Sequence, residues 1–287
     1  MRLKYLILAH ACLGQVDRLI KALSHEKAEF FIHLDRKVSR TEIQKYNFPN
    51  LLNVTIIEPR LEINWGGFNM VRATMYLIAE ALKDKADGYL VLLSGQDFPI
   101  KHPDIIYNRL SKHFGIQYLD FFSLPSNKWT LNNGTDRLQY YWFIDSLGYD
   151  ESVKAYLLQQ SGKRIRPYLK NIMPFGGSQW WCITSECAAY IMQFLKQNAF
   201  FEDYYRNCFV PDEMFFQTII LNSNFSPYVV NDNLRYIDWD KGPQYPRVLT
   251  SDDLTSIISS DSLWARKFID FQQCGILSKL ERQLFSY

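Results

Sequence analysis

Over roughly its first hundred residues the chain alternates apolar strand patterns with helical ones, which leaves few folds open to it. Leu3–Ala9 is a near-continuous apolar run of strand length, and Val16–Leu23 repeats apolar groups at Val16, Leu19, Ile20 and Leu23, the spacing of one helix face. Phe30–Leu34 and Val54–Ile57 read as further strands, and Met70–Leu82 as a strong helix. Tyr89–Leu93 is a fourth strand that runs into Ser94-Gly95-Gln96-Asp97. Strands separated by helices predict an α/β fold with a mostly parallel, Rossmann-like sheet flanked by helices. Ligands of such open sheets bind beyond the carboxyl ends of the strands, so His10, Asp35 and the Ser94–Asp97 turn share one candidate rim.

Several function classes drop out early. The turn after the first strand reads His10-Ala11-Cys12-Leu13-Gly14, not G-x-G-x-x-G, and no P-loop motif occurs, which argues against dinucleotide enzymes and P-loop NTPases. The net charge of +2 gives no general attraction to nucleic acid. No apolar run reaches the ~20 residues of a membrane helix, and Tyr5–Ala9 is too short for a signal-peptide core. Cys12, Cys182, Cys187, Cys208 and Cys274 are odd in number and scattered, a pattern of thiols in a reducing compartment. The expectation is a soluble cytoplasmic protein with no metal site.

The remainder of the chain carries no linker, repeat or low-complexity tract, so a single compact domain is expected. Gln117–Phe175 reads as an irregular insertion of loops and helices, rich in aromatic and basic residues. Trp180–Thr184 is an apolar run, helices follow near Glu186–Lys196 and after Pro211-Asp212-Glu213, and the tail from Asp252 reads as helical.

Four groups of residues could carry chemistry. Asp212 suits a helix N-cap, placing Glu213 in a first turn where the helix dipole favours an ionised carboxylate; Glu213 is then either a general base or simply a favourable opening residue. Arg247, Arg266 and Lys267 could converge on a diphosphate, or could lie on a solvated face. Asp238-Trp239-Asp240 has the D-x-D form of a cation site, but a lone acidic triplet is common and no histidine pair supports it. Trp65-Gly66-Gly67 could stack a ring or form a tight turn over a core Trp. His10 and His33 read as structural histidines near strand ends. With 7 Trp, 18 Tyr and 20 Phe, the chain has aromatics enough for both a core and a sugar- or base-stacking cleft.

An ordered set of segments resembles glycosyltransferase family 14, the core-2/I-branching N-acetylglucosaminyltransferases and peptide O-xylosyltransferases. The segments are His33-Leu34-Asp35-Arg36-Lys37, Trp65-Gly66-Gly67, Leu93 through Lys101, Gly176-Gly177-Ser178-Gln179-Trp180, Pro211-Asp212-Glu213, Asn233 through Trp239 and Ala265-Arg266-Lys267-Phe268. The resemblance implies a GT-A fold, with residues 1–115 as a nucleotide-binding half and 116–287 as an acceptor-binding half. It implies inverting, metal-independent transfer of GlcNAc or xylose from a UDP-sugar to a glycan or other hydroxyl acceptor, with no cofactor. Glu213 becomes the catalytic base, and Arg247 and Lys267, with Arg266 beside it, neutralise the diphosphate. Asp35 contacts uridine in a pocket lined by Ala9 and His10, while Trp65, Gly66 and Asp97 face the donor sugar region. Gly177, Ser178, Trp180 and Trp239 face the acceptor. The chain resembles short bacterial members, which implies polysaccharide assembly at the cytosolic side of the inner membrane, with peripheral attachment through a lipid-linked saccharide acceptor, since no basic amphipathic anchor is evident in the sequence. A glycoside hydrolase, or a non-catalytic glycan- or nucleotide-binding protein, is the alternative.

Overall fold

A computed structural model describes residues 1–240, 245–269 and 275–285. Its centre is a seven-stranded sheet. The first half supplies β1 (Arg2–Ala9), β2 (Ala28–Leu34), β3 (Val54–Ile56) and β4 (Gly88–Ser94), with the two-residue β5 (Phe98–Pro99) set apart. The second half supplies β6 (Gln117–Ser123), β7 (Phe175–Thr184) and β8 (Val229–Val230), followed by the short β9 (Arg235–Ile237) and β10 (Trp264–Arg266). The strand order is β3-β2-β1-β4-β7-β6-β8, and β5, β10 and β9 form a separate three-stranded sheet. Strands β1 to β4 pair in parallel, whereas β7 runs antiparallel to both β4 and β6. The expected α/β class with a mostly parallel sheet is the observed one.

The apolar first strand is explained by burial on both faces. Tyr5, Ile7 and Ala9 enter one core, packed with α1 (Leu13–Ala22) and Trp264. Leu6 and Leu8 enter the other, with α2 (Asn69–Ala81) and Trp181. This is the two-residue alternation of a strand covered on both sides by helices. Register puts Ala9 opposite Leu34 and Ile7 opposite Leu93, so β1, β2 and β4 end together at His10, Asp35 and Ser94. Gln15 of α1 stitches this rim: its Nε2 donates to the Gly95 carbonyl at 2.9 Å and to that of Phe268, just past β10, at 3.2 Å.

Three sequence expectations change. Gln117–Ser123 is not part of an insertion but a strand of the main sheet; its alternation is masked because a bulge breaks the register between Leu119 and Phe121. The segment after it does consist of short helices and loops, leading to α3 (Tyr149–Ser161). The expected helix near Glu186–Lys196 is α4 (Ser185–Gln197), and α5 (Phe215–Leu221) follows Glu213. The tail is not uniformly helical: β10 interrupts it before α6 (Ile276–Phe285). Arg266 therefore sits on a strand between two others rather than on a solvated helix face. Cys182, Cys187 and Cys208 are buried thiols, while Cys274 lies outside the described residues. Among the described residues no helix is long and apolar enough to cross a membrane.

Candidate active site

At the strand ends, backbone and side chain combine to hold a polar rim. Asp35 is buried, its N–H donates to the Ala9 carbonyl at 2.8 Å, and its carboxylate accepts from Lys37 N at 2.8 Å and Ile63 N at 3.1 Å. Lys37 Nζ is 3.7 Å from the same carboxylate. Desolvation pushes the His10 imidazole below its ordinary value; Asp35 opposes this, and Lys267 and Lys37 add to it, so all four share one local field. His33 is different. It is buried, its Nε2 accepts from Leu61 N at 2.8 Å, and burial takes it down to about 4, which makes it a neutral structural residue as read from the sequence.

Behind the rim lies a buried charge cluster. Asp97 is fully buried; Oδ2 accepts from Ser94 N at 2.6 Å and Oδ1 is 3.6 Å from Arg266 Nε. The Arg266 guanidinium rests over the Trp180 ring at 4.2 Å, a stabilising cation–π arrangement. Its Nε and Nη1 are enclosed and make no hydrogen bond in the protein, Nε facing the Asp97 carboxylate as an ion pair. Burial pushes Arg266 down, with Asp97 and then Glu213 holding its charge in place. Arg235 lies close to this cluster, donating to the Leu92 carbonyl at 2.7 Å and stacked over Trp264 at 4.8 Å. Two expectations are corrected here. Asp97 and Trp180 do not face sugar or acceptor, because Asp97 is enclosed and Trp180 is buried as the shelf under Arg266.

Glu213 belongs to a single 3-10 turn, Pro211–Glu213, entered through Val210 at φ +50°. Val210 N bonds the Gly66 carbonyl at 2.9 Å, which fixes this turn against the Trp65-Gly66 loop. The N-cap position is taken by Val210 rather than Asp212, which is buried inside the turn, so the expected Asp212 cap is not formed. Burial instead raises both carboxyls, Asp212 to about 7 with the Glu213 charge adding to it. Arg137 opposes the rise at Glu213: its Nη1 donates to Oε2 at 2.8 Å. The Arg137 guanidinium in turn lies 3.8 Å over the Trp129 ring. Trp129 packs flush on Gly176, where a Cβ would come within 2.5 Å of the indole.

Asp120, at the β6 bulge, completes the cleft. Its carboxyl is raised by burial, takes a backbone hydrogen bond from Ser178, and raises Glu213 in turn. Gly177 must lack a side chain because a Cβ would stand 1.9 Å from the Asp120 carbonyl oxygen. Gly177 and Ser178 are thereby brought beside Glu213's neighbour. Arg137, Trp129 and Asp120 were not singled out in the sequence; their only signal is the basic and aromatic character of the segment they occupy.

The outer rim is aromatic. Trp65, Tyr149 and Tyr245 are each about half exposed, with Trp65 5.7 Å from Tyr149 and 5.9 Å from Tyr245, and with Trp65 and Tyr149 both packed on Phe209. Trp239 is also half exposed. Arg247 departs from its expected role. Nε donates to Asp238 at 2.8 Å, and Nη1 and Nη2 grip the two oxygens of Asp253 at 2.9 and 2.6 Å, so both edges of the fork are occupied. That pairing also accounts for the D-x-D: Asp238 is an arginine partner. Lys267 remains on the rim, half-buried, its ammonium lowered by burial and then by Arg266. Among the described residues no group of three or more His, Cys, Asp or Glu is arranged to hold a metal ion.

The fold and site together define an α/β protein with charged side chains gathered at its strand ends and a half-buried glutamate, Glu213, in electrostatic reach of Arg266. A family model described as Core-2/I-Branching enzyme matches residues 3–258, and the chain belongs to that family. It is 28% identical to beta-glucuronosyltransferase GlcAT14A of Arabidopsis thaliana, covering 99% of this chain and 64% of that protein. It is 24% identical to xylosyltransferase oxt of Drosophila pseudoobscura pseudoobscura, covering 95% of this chain and 32% of that protein. The chain thus spans less than two thirds of the length of these relatives. Mouse xyloside xylosyltransferase 1 superposes with a TM-score of 0.38 at 9% identity, over 92% of this chain and 97% of that one.

Proposed function

We propose that this chain is an inverting glycosyltransferase that moves a sugar from a UDP-sugar to a hydroxyl of a glycan acceptor without a metal ion. Glu213 takes the acceptor hydroxyl proton as that oxygen attacks the anomeric carbon. The bond from that carbon to the β-phosphate oxygen breaks on the opposite face, and its electron pair leaves with UDP. General base catalysis of this kind is worth about 10²–10⁴-fold. The leaving diphosphate is met by Arg266 and Lys267, whose charges are fixed before reaction begins. The observation that carries the reading is that Glu213, gripped by Arg137 at 2.8 Å, lies within electrostatic reach of the Arg266 guanidinium, with Lys267 next in sequence on the strand-end rim. Asp238, bound to Arg247, supports the metal-free part. The names of the relatives make glucuronic acid and xylose donor sugars to test beside GlcNAc.

The test is UDP titration and transfer assays on wild type and Glu213→Gln, with and without EDTA. UDP binding with transfer lost in the variant, and no effect of EDTA, is the expected result. Near-wild-type turnover in Glu213→Gln removes it as the base, and activity restored only by manganese removes the metal-free mechanism. Glycan cleavage without UDP binding points to a hydrolase.

A further inference from the structure

From Ser152 to Ser185 the sequence carries five basic residues, Lys154, Lys163, Arg164, Arg166 and Lys170, and no carboxylate, in a chain whose net charge is only +2. The stretch begins in α3 and continues through the loop behind it. Arg166 is internal: buried, it donates to the carbonyls of Leu138 at 2.8 Å and Tyr204 at 3.1 Å and so fastens the loop to the body. Lys163, Arg164 and Lys170 are exposed. Lys154 pairs with Glu151, one turn back on α3, and Asp150 stands beside that pair.

Among these cations the structure exposes aliphatic side chains that a soluble surface normally covers. Leu158 is 74% exposed, Ile165 57% and Leu157 52%. Arg164 N bonds the Gln159 carbonyl at 2.9 Å, folding the loop back over the helix end. Leu158 and Ile165 therefore share one shallow groove of about 480 Å³ with Tyr141, Phe143 and Arg164. The polar groups there are already paired: Gln159 accepts from Tyr141 N at 2.9 Å and donates to the Tyr141 carbonyl at 2.8 Å. The polar group left at the groove is the exposed Arg164 guanidinium, so its outer lip is aliphatic and cationic.

We propose that this face docks on the surface of a bilayer containing acidic phospholipid. Leu158 and Ile165 enter the boundary between headgroups and acyl chains, while Lys163, Arg164 and Lys170 meet the headgroups. Apolar contact and attraction to anionic lipid are the two ingredients of interfacial binding, and each basic residue near such a surface strengthens it several-fold. A soluble polyanion would use the cations but leave the leucine and isoleucine without a partner, which favours the bilayer. The proposal stands apart from the catalytic reading, since none of these residues lies in the cleft.

The experiment is co-sedimentation of the full chain with vesicles of phosphatidylcholine alone or mixed with phosphatidylglycerol. Binding is expected to the acidic vesicles and to weaken as salt screens it. Leu158→Glu/Ile165→Glu and, separately, Lys163→Glu/Arg164→Glu are expected to weaken it by about tenfold or more. Leu52→Glu, at a fully exposed site elsewhere, serves as the control that keeps wild-type binding. Melting curves and UDP titrations of the variants distinguish a lost surface from a lost fold. No binding by wild type, or unchanged binding by Leu158→Glu/Ile165→Glu, overturns the proposal. So does heparin binding that equals vesicle binding and ignores the aliphatic pair.

Discussion

Arg137 Nη1 lies 2.8 Å from Glu213 Oε2, and the same guanidinium lies 3.8 Å above the Trp129 ring, so the candidate base is held by a cation that is itself held by an indole. Burial raises the Glu213 carboxyl and Arg137 works against that rise. Removing this cation takes away the largest opposition to burial and leaves only the weaker pull of Arg266. In Arg137→Met the acid limb of the pH–rate profile is expected to move to higher pH, because the base stays protonated over a wider range. Transfer at neutral pH should fall while UDP affinity holds. A limb that stays in place would reduce Arg137 to a structural contact.

Asp97 and Arg266 invite a stability measurement. Both are buried, and Asp97 Oδ1 is the carboxylate nearest the guanidinium, at 3.6 Å. Asp97→Asn leaves Arg266 charged and under-compensated, and breaking a buried pair this way costs about 3 kcal/mol. Urea unfolding should show that loss, and Asp97→Asn/Arg266→Met should recover part of it. Full additivity of the two substitutions would mean that the pair is not coupled.

The two outcomes above also show why the site was only partly legible. The rim could be read from sequence because it depends on local facts: apolar runs end at His10, Asp35 and Ser94, and parallel register aligns those ends. Asp97 was misplaced because a carboxylate after a strand looks the same whether it faces the cleft or supports an arginine from 266. Asp120 was hidden by the bulge that interrupts the β6 pattern, and Gly177 is intelligible only beside the Asp120 carbonyl oxygen. Arg137 meets Glu213 across 76 positions, and no periodicity reports such a pairing. The Arg247 clamp, by contrast, spans only nine residues, yet D-x-D chemistry and an arginine partner look alike until geometry separates them.

Asp212 predicts a pH-dependent stability of definite sign. Its carboxyl sits at about 7 in the folded chain against an ordinary value of 3.8, raised first by burial and then by the Glu213 charge. The folded state therefore keeps a proton that the unfolded chain has already released, and stability falls as pH climbs between those values. Asp212→Asn removes the ionisation. The variant should melt higher than wild type at pH 8, and the gain should shrink toward pH 4. A constant difference across that range would assign the effect to packing instead.

Arg247 and Lys267 separate support from ligand contact. Arg247 has both edges of its fork engaged by Asp238 and Asp253, so a diphosphate would have to displace a carboxylate to reach it. Lys267 carries a burial-lowered ammonium on the same rim as His10 and Asp35. Lys267→Ala is expected to weaken UDP binding by about tenfold, the loss of one charge-assisted contact, with little change in melting temperature. Arg247→Ala should do the reverse, because it leaves Asp238 and Asp253 facing each other without a cation. Calorimetric titration and thermal melts on the two variants decide the matter: a larger UDP defect in Arg247→Ala than in Lys267→Ala would show that the clamp opens and that Arg247 binds the diphosphate after all.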